Sequence, residues 1–288
     1  MMNLSQAKNQ LQESISGIYD SREAENISQM VMESITGWER IDISLNRQAA
    51  LSVNQLERIK QIGQELLAHR PVQYVLGESW FAGMKFFVDE NVLVPRPETD
   101  ELVNWVAEEI DNGPKGKQDL IVMDVGTGSG CIAISVKKKI PAVKMLAVDV
   151  SDAALSIAKK NSKSLNAEIE LIKADFLNPS IRQELPAVDI LISNPPYIPK
   201  SAGSTMSPGV VNHEPSLALF VDDHHPLVFY HALSEFGKTH LHSGGMIFAE
   251  INELMGPSVL ELFERDGWEL EMRKDLQGKH RMIKAWKS

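Results

Sequence analysis

A short apolar run at residues 189–192 ends in Ser193-Asn194-Pro195-Pro196-Tyr197, residue types that make poor regular structure and useful chemistry. The run itself reads as a buried strand. Neither proline has an N–H to give to a ladder, and the fixed φ of each stiffens the turn that follows. The result is a tip without local donors. Its acceptors are the Asn194 side-chain oxygen and the Pro195 carbonyl, and the Tyr197 ring can lie over whatever they hold. Two acceptors and a π-face suit a planar NH2 group. A Pro-rich strand exit with a structural Asn is the plain alternative, and the company this stretch keeps weighs against it.

That company begins with Asp124-Val125-Gly126-Thr127-Gly128-Ser129-Gly130, placed between a predicted strand and a predicted helix. Glycines at alternate positions tolerate φ > 0 and carry no Cβ, so the backbone can approach a nucleotide-like ligand closely. Alone, such a turn is equally a tight strand-to-helix connection. Asp149 ends the next predicted strand, where an acidic side chain can accept hydrogen bonds from both ribose hydroxyls. Asp175 and Phe176 follow the third strand at the same edge, one placed for an exocyclic amine and the other for stacking on a base. Gly126, Thr127, Gly128, Ser129, Gly130, Asp149, Asp175 and Phe176 therefore read as an adenosine site. A dinucleotide fingerprint would space its last glycine one residue further on, as G-x-G-x-x-G.

The elements that must carry these residues alternate. Strands are predicted at 120–125, 145–148, 169–172 and 189–192, with helices at 131–138 and 152–161. This order implies βαβ units and a parallel, doubly wound sheet. Beyond it come a Pro-, Gly- and Ser-rich loop at 198–213, long enough to suspect function, a helix near 226–236, a strand at 246–250, a helix near 257–263 and two closing strands at 268–272 and 281–286. Ahead of the sheet, residues 4–70 have helical periodicity. Asp20 with Glu23 and Ser52 with Gln55 resemble capping boxes, and Gly37 is a C-terminal stop. Residues 74–94 turn to β-type composition, read as a hairpin linking two domains. Pro95-Arg96-Pro97 then leads into a helix with an acidic first turn, which frays out at Asp111-Asn112-Gly113-Pro114.

Composition narrows the class. Apolar content of 43% and charged content of 24% over 288 residues are those of a soluble globular protein. No stretch approaches the apolar length of a membrane span, and the N-terminus lacks the charged flank and apolar core of a signal peptide, so a cytoplasmic location and no membrane partner are expected. Cys131 is the sole cysteine, which excludes an internal disulfide and a Cys-clustered metal site. His224-His225 and His240-x-His242 lack evident third and fourth donors at fixed spacing, so no metal is expected. A formal charge of −10 argues against gripping nucleic acid through its backbone.

The G-x-G-x-G turn, Asp149 and the Asn194-to-Tyr197 strand end together resemble the class I S-adenosylmethionine-dependent methyltransferases. That resemblance implies an α/β fold with a Rossmann-like sheet of seven strands, the last antiparallel. Pro95-Arg96-Pro97-Glu98-Thr99, Glu214-Pro215 before Leu217-Ala218-Leu219-Phe220, and Asp275-Leu276-Gln277-Gly278 before Arg281 carry it further. With the helical N-terminus and the hairpin, they resemble the peptide chain release factor glutamine N5-methyltransferases over essentially the whole chain. Two loops depart from that pattern: Val221-Asp222-Asp223-His224-His225 stands where the family has a Gly-rich acidic turn, and Glu250-Ile251-Asn252 where it commonly has Glu-Ile-Gly.

The resemblance implies three parts: a helical substrate-recognition domain at 1–73, a β-hairpin linker at 74–94 and a methyltransferase domain at 95–288. It implies S-adenosyl-L-methionine as cofactor, held by residues 126–130, Asp149, Phe176 and Asn194, to which Asp175 is added by its place at the same edge. The methyl acceptor would be the glutamine of a release factor's Gly-Gly-Gln tripeptide, bound and activated by Asn194, Pro195, Pro196 and Tyr197. Release factors are then the expected partner and a monomer the expected state. The strongest rival is an adenine-N6 DNA methyltransferase, because an exocyclic amine offers Asn194 the same geometry; the acidic balance and the lack of a recognisable target-recognition domain oppose it. A non-catalytic nucleotide-binding module is opposed by the intact Asn194-to-Tyr197 stretch.

Overall fold

The computed structural model describes residues 2–113 and 120–287, so Pro114 of the predicted helix end lies outside the described residues. The chain forms two compact units, Met1–Glu78 with Ser207–His213 and Ser79–Met206 with Glu214–Ser288.

The first unit is helical: α1 (Leu4–Ile15), α2 (Ser21–Thr36), α3 (Arg40–Leu45), α4 (Val53–Leu67) and α5 (Val72–Leu76). Leu4, Leu11 and Ile15 of α1, Ile27 and Val31 of α2, and Ile59, Ile62 and Leu66 of α4 meet in one core, as their helical spacing requires. Side chains close the helix starts. Asp20 Oδ1 accepts from the backbone of Arg22 and Glu23, and Ser52 exchanges bonds with Gln55. Gly37 ends α2 at φ 71°, the left-handed conformation in which a glycine is least costly.

The hairpin is shorter than the expected 74–94. Tyr74 and Val75 are buried in α5, whose pattern of apolar residues fits a single helical turn as well as a strand, and Gly77 at φ 70° stops it. The hairpin strands are β1 (Glu78–Phe81) and β2 (Met84–Phe87). Ala82 and Gly83 between them both have positive φ, as a two-residue turn matched to strand twist demands.

After the hairpin come α6 (Pro97–Asn112), β3 (Ile121–Val125), α7 (Cys131–Lys139), β4 (Lys144–Asp149), α8 (Asp152–Ser164), β5 (Glu170–Lys173), α9 (Pro179–Gln183) and β6 (Val188–Ser193). β7 (Ile198–Pro199), a 3₁₀ turn at Lys200–Thr205, α10 (Pro208–His213), α11 (Ser216–Leu219) and β8 (Phe220–Val221) follow. The chain closes with α12 (Val228–His240), β9 (Leu241–Glu250), α13 (Gly256–Arg265), β10 (Glu269–Lys274) and β11 (His280–Trp286). The stretch read as a loop at 198–213 thus contains regular structure. β7 pairs with β8, and Asp223 Oδ1 accepts from both the backbone and the hydroxyl of Ser201.

Among the described residues seven strands form one sheet in the order β10-β11-β9-β6-β3-β4-β5. Neighbours from β9 to β5 are parallel, and β11 alone runs against both of its neighbours, as expected for the last strand. The central strands read as continuous apolar runs because both faces are covered. Met123, Leu191, Ile247 and Ala249 enter the core that includes Phe236 and Phe263, while Val122, Ile190 and Phe248 enter the one that includes Leu102, Trp105 and Ile134. From β3 the chain winds outward through β4 and β5, then returns to β6 on the other side. That reversal opens a crevice at the carboxyl ends of β3 and β6, where open α/β sheets bind ligands.

Candidate active site

Parallel pairing brings the carboxyl ends of β3, β4, β5, β6 and β9 to one edge. The glycine loop, Asp149, Asp175, Asn194 and Glu250 therefore share that edge although they are far apart in sequence.

In the glycine loop, the backbone N–H groups of Gly126 and Thr127 both donate to the Val148 carbonyl, and the Gly130 N–H donates to the Thr127 carbonyl. Gly126 has φ 74°, and a Cβ there would meet no atom within 4 Å, so this backbone faces open space a ligand can enter. Gly130 also serves packing. With φ 80°, it starts α7 where a Cβ would lie 3.1 Å from Ile134 Cδ1 and 3.2 Å from Ala158 Cβ. The buried Asn161 side chain braces the loop, donating to the carbonyls of Ser129 and Phe87 while accepting from the Phe87 N–H. Below the loop, Asp124 is fully buried and accepts from Thr127 Oγ1 at 2.7 Å. Burial pushes its carboxyl up to about 7; the Thr127 and Ala133 donors oppose that and the Asp149 charge adds to it.

Asp149 has a structural task beside the one read from sequence. Its Oδ2 accepts from the Gly128 N–H and its Oδ1 from the Ser151 N–H, both at 2.9 Å, so the carboxylate pins the loop to the end of β4. Each oxygen keeps one lone pair for a ligand hydroxyl. Asp175 is exposed, with Oδ1 accepting from the Leu177 N–H. Phe176 lies in the core beneath that edge. It is 4% exposed, its ring packs on Phe236 at 5.4 Å between centroids, and the Arg182 guanidinium lies 5.8 Å from it. An aromatic ring gains more from full burial than from a half-open position, and here it packs in the core of the sheet.

β6 ends at Ser193, whose hydroxyl donates to the Val125 carbonyl at 2.8 Å and ties the two strand ends that flank the crevice. The following prolines and Tyr197 form the expected tip. Asn194 Nδ2 donates to Thr99 Oγ1 at 3.0 Å, and Thr99 Oγ1 donates to Glu250 Oε2 at 2.7 Å. Tyr197 donates its hydroxyl to Glu250 Oε1 at 3.0 Å, and the Tyr230 hydroxyl donates to the Glu250 carbonyl at 3.0 Å. Among the described residues neither Asn194 Oδ1 nor the Pro195 carbonyl takes a hydrogen bond, so both are available as acceptors.

Glu250 is 2% exposed, and burial raises its carboxyl above the ordinary range against the pull of the Thr99 and Tyr197 hydroxyls and the Arg281 charge. Burial, with the Glu250 charge beside it, also raises the Tyr197 phenol, which keeps its proton at neutral pH. Thr99 and Glu250 were not among the sequence-derived site residues. One signal was available: Glu250 is a carboxylate ending the apolar run Met246-Ile247-Phe248-Ala249, a position where an unpaired charge would be costly. Thr99 had no comparable signal, because it sits in the first turn of a helix whose Pro97, Glu98 and Asp100 are explained by helix initiation alone.

At the two departing loops, a side chain bonds the backbone two residues on. Asn252 Oδ1 accepts from the Leu254 N–H, and Asp222 Oδ1 from the His224 N–H. Of the other histidines, His240 stacks on Phe236 at 4.5 Å, and His242 Nδ1 lies 3.3 Å from Asp189 Oδ1. Among the described residues no group of three or more His, Cys, Asp or Glu side chains is placed to hold a metal ion, and no helix is long and apolar enough to cross a membrane.

A sheet with this strand order, a glycine loop after its first parallel strand, a carboxylate after the second and a tip with two free acceptors at the switch point define a class I methyltransferase. The "Methyltransferase small domain" family model matches residues 99–210, and the "PrmC N-terminal domain" model matches residues 3–77. The chain is 36% identical over 280 residues to the release factor glutamine methyltransferase of Flavobacterium psychrophilum, covering 96% of this chain and 97% of that one. It is 35% identical over 276 residues to the Bacteroides thetaiotaomicron protein of the same name, covering 96% and 97%. The chain belongs to the release factor glutamine methyltransferase family. Its fold is also that of a Pyrococcus furiosus methyltransferase, with a TM-score of 0.50 at 17% identity over 82% of this chain and all of that one.

Proposed function

We propose that the protein methylates the side-chain amide nitrogen of the glutamine in the Gly-Gly-Gln tripeptide of peptide chain release factors, using S-adenosylmethionine. The observation that carries this reading is the Asn194 amide, whose NH2 group is taken up by Thr99, so that its oxygen, like the Pro195 carbonyl, takes no hydrogen bond among the described residues. The open backbone at Gly126 and the remaining lone pairs of Asp149 fit the cofactor, which residues 126–130, Asp149, Asp175 and Asn194 would hold. Bound there, S-adenosylmethionine supplies a methyl group on a positively charged sulfur, an electrophile that needs a well-placed lone pair.

An amide nitrogen is a poor nucleophile because its lone pair is delocalised into the carbonyl. Accepting both of its N–H bonds, at Asn194 Oδ1 and the Pro195 carbonyl, favours a more pyramidal nitrogen with the lone pair directed away from both. Positioning of this kind can be worth on the order of 7 kcal/mol or more. As the nitrogen gains positive charge, the two carbonyl dipoles and the Tyr197 ring stabilise it, and the methylated nitrogen, now more acidic, then releases one N–H proton to solvent. Tyr197, hydrogen-bonded to Glu250, holds its ring in place and does not act as the base.

A pocket the size of one side chain cannot tell one glutamine from another, so partner selection falls to a larger surface. We assign it to the helical unit, where Trp38, Ile41, Leu45 and Val53 are exposed. The acidic net charge and the two relatives favour a protein acceptor over adenine in DNA. Mass spectrometry of a release factor incubated with enzyme and cofactor tests the reading. A gain of one CH2 on the Gly-Gly-Gln glutamine is expected, and an unmodified factor alongside methylated adenine in a DNA control would overturn it.

A further inference from the structure

Thr99 Oγ1 lies between a donor and an acceptor, and its bonding partners determine which way the Asn194 amide faces. Glu250 is an acceptor-only side chain when ionised, and its two oxygens receive the Thr99 and Tyr197 hydroxyls at 2.7 and 3.0 Å. The single Thr99 proton is committed to Glu250, so the hydroxyl can only accept on its other side. It therefore calls for the Asn194 NH2 group and not the Asn194 oxygen. An asparagine amide has nearly the same shape in its two flipped orientations, and without such a partner nothing local distinguishes them. All three side chains come from different elements: Thr99 from the first turn of α6, Asn194 from the exit of β6 and Glu250 from the end of β9. Both Thr99 and Glu250 are 2% exposed, so water does not compete for the bond between them.

We propose that Thr99, polarised by Glu250, is a positioning residue that locks Asn194 with its oxygen toward the substrate and so makes the pocket select a primary amide over a carboxylate. The proposal rests on the reading above that the acceptor is a glutamine. A glutamine NH2 offers two donors to Asn194 Oδ1 and the Pro195 carbonyl. A glutamate in its place offers only lone pairs to those two acceptors and is rejected. Were Asn194 to flip, its NH2 would face the pocket. It would then repel the substrate NH2 and welcome a carboxylate, so catalysis and selectivity would fail together.

Thr99→Val removes the hydroxyl at nearly constant shape, and Thr99→Ser restores it. The valine variant is expected to lose about 100-fold in kcat on a release factor, the scale of loss that a small misplacement produces. Its KM should change far less, and the serine variant should recover most of the rate. The ratio of affinities for a Gly-Gly-Gln over a Gly-Gly-Glu peptide should fall by about tenfold or more in the valine variant. A merely structural Thr99 would leave that ratio alone. In the wild-type enzyme, heteronuclear NMR with labelled asparagine should show one Asn194 side-chain N–H protected from solvent exchange; this readout needs neither substrate nor a folded variant. Asn194 protons that exchange as freely as those of an exposed asparagine would overturn the proposal, as would a valine variant with wild-type kcat and peptide ratio. Failure of the wild-type enzyme to methylate any release factor would instead sink the functional reading, and the NMR measurement would still decide the positioning role.

Discussion

Arg96 holds Glu214 through both carboxylate oxygens, its Nη2 lying 2.7 Å from Oε1 and 2.8 Å from Oε2. The Glu214 side chain is 1% exposed and that of Arg96 36%, so the pair joins an inner charge to an outer one. Burial raises the Glu214 carboxyl, and the guanidinium pulls it back. Arg96→Met should destabilise the protein by about 2–3 kcal/mol, less than a fully buried pair would lose because water reaches Arg96. Adding Glu214→Gln should recover part of that loss by removing the stranded charge. Urea midpoints of the two single variants and the double variant check this, and strictly additive losses would show that the two side chains do not act as a pair.

Asp149 is expected to govern cofactor affinity in two ways. Asp149→Ala removes an acceptor for ligand hydroxyls and also releases the Gly128 and Ser151 N–H groups that order the loop. Charge-assisted hydrogen bonds are worth about 1.5–3 kcal/mol, so the dissociation constant of S-adenosylmethionine should rise by roughly 10- to 100-fold. An unchanged constant by titration calorimetry would refute the assignment.

Asn194→Ala should lower kcat much more than it lowers stability or cofactor affinity, because the lost acceptor is used on the reacting amide. Single-turnover methylation separates these effects. Rates equal to wild type would reduce Asn194 to a turn residue.

Asp124 should make stability depend on pH in an unusual sense. Its carboxyl stands at about 7 in the folded chain against an ordinary value of 3.8. Between those values the native state keeps a proton that the unfolded chain has released. The stabilisation is therefore complete below about pH 4 and is lost as pH rises through about 7, at about 1.4 kcal/mol per pH unit over the window. Asp124→Asn can still accept from Thr127 and carries no titrating group, so urea midpoints measured from pH 5 to 8 should fall less steeply than in wild type. Parallel slopes would show that Asp124 is ionised throughout.

The sheet was legible in the sequence because each of its central strands is covered on both faces, which forces short continuous apolar runs such as Leu120-Ile121-Val122-Met123 and Ile190-Leu191-Ile192 in place of the alternation of a half-exposed strand. The glycine loop, Asp149 and the Asn194-to-Tyr197 tip were legible for a related reason. Their chemistry is local, resting on φ, on missing N–H donors and on position at a strand end. The residues at 74–76 and 198–213 were harder, because single helical turns and two-residue strands are too short for periodicity to declare itself. The packing of Phe176 on Phe236 was not legible, because an aromatic residue after a strand looks the same in sequence whichever way its ring faces.

By itself the sequence determined which residues could accept, bend or donate, since those properties belong to single side chains and short spacings. Only the tertiary structure decided that Thr99, Asn194 and Glu250, contributed by a helix, the exit of one strand and the end of another, form a chain of hydrogen bonds. The orientation of the Asn194 amide depends on where a single hydroxyl proton goes. That in turn depends on a carboxylate which folding, and not sequence proximity, brings within reach.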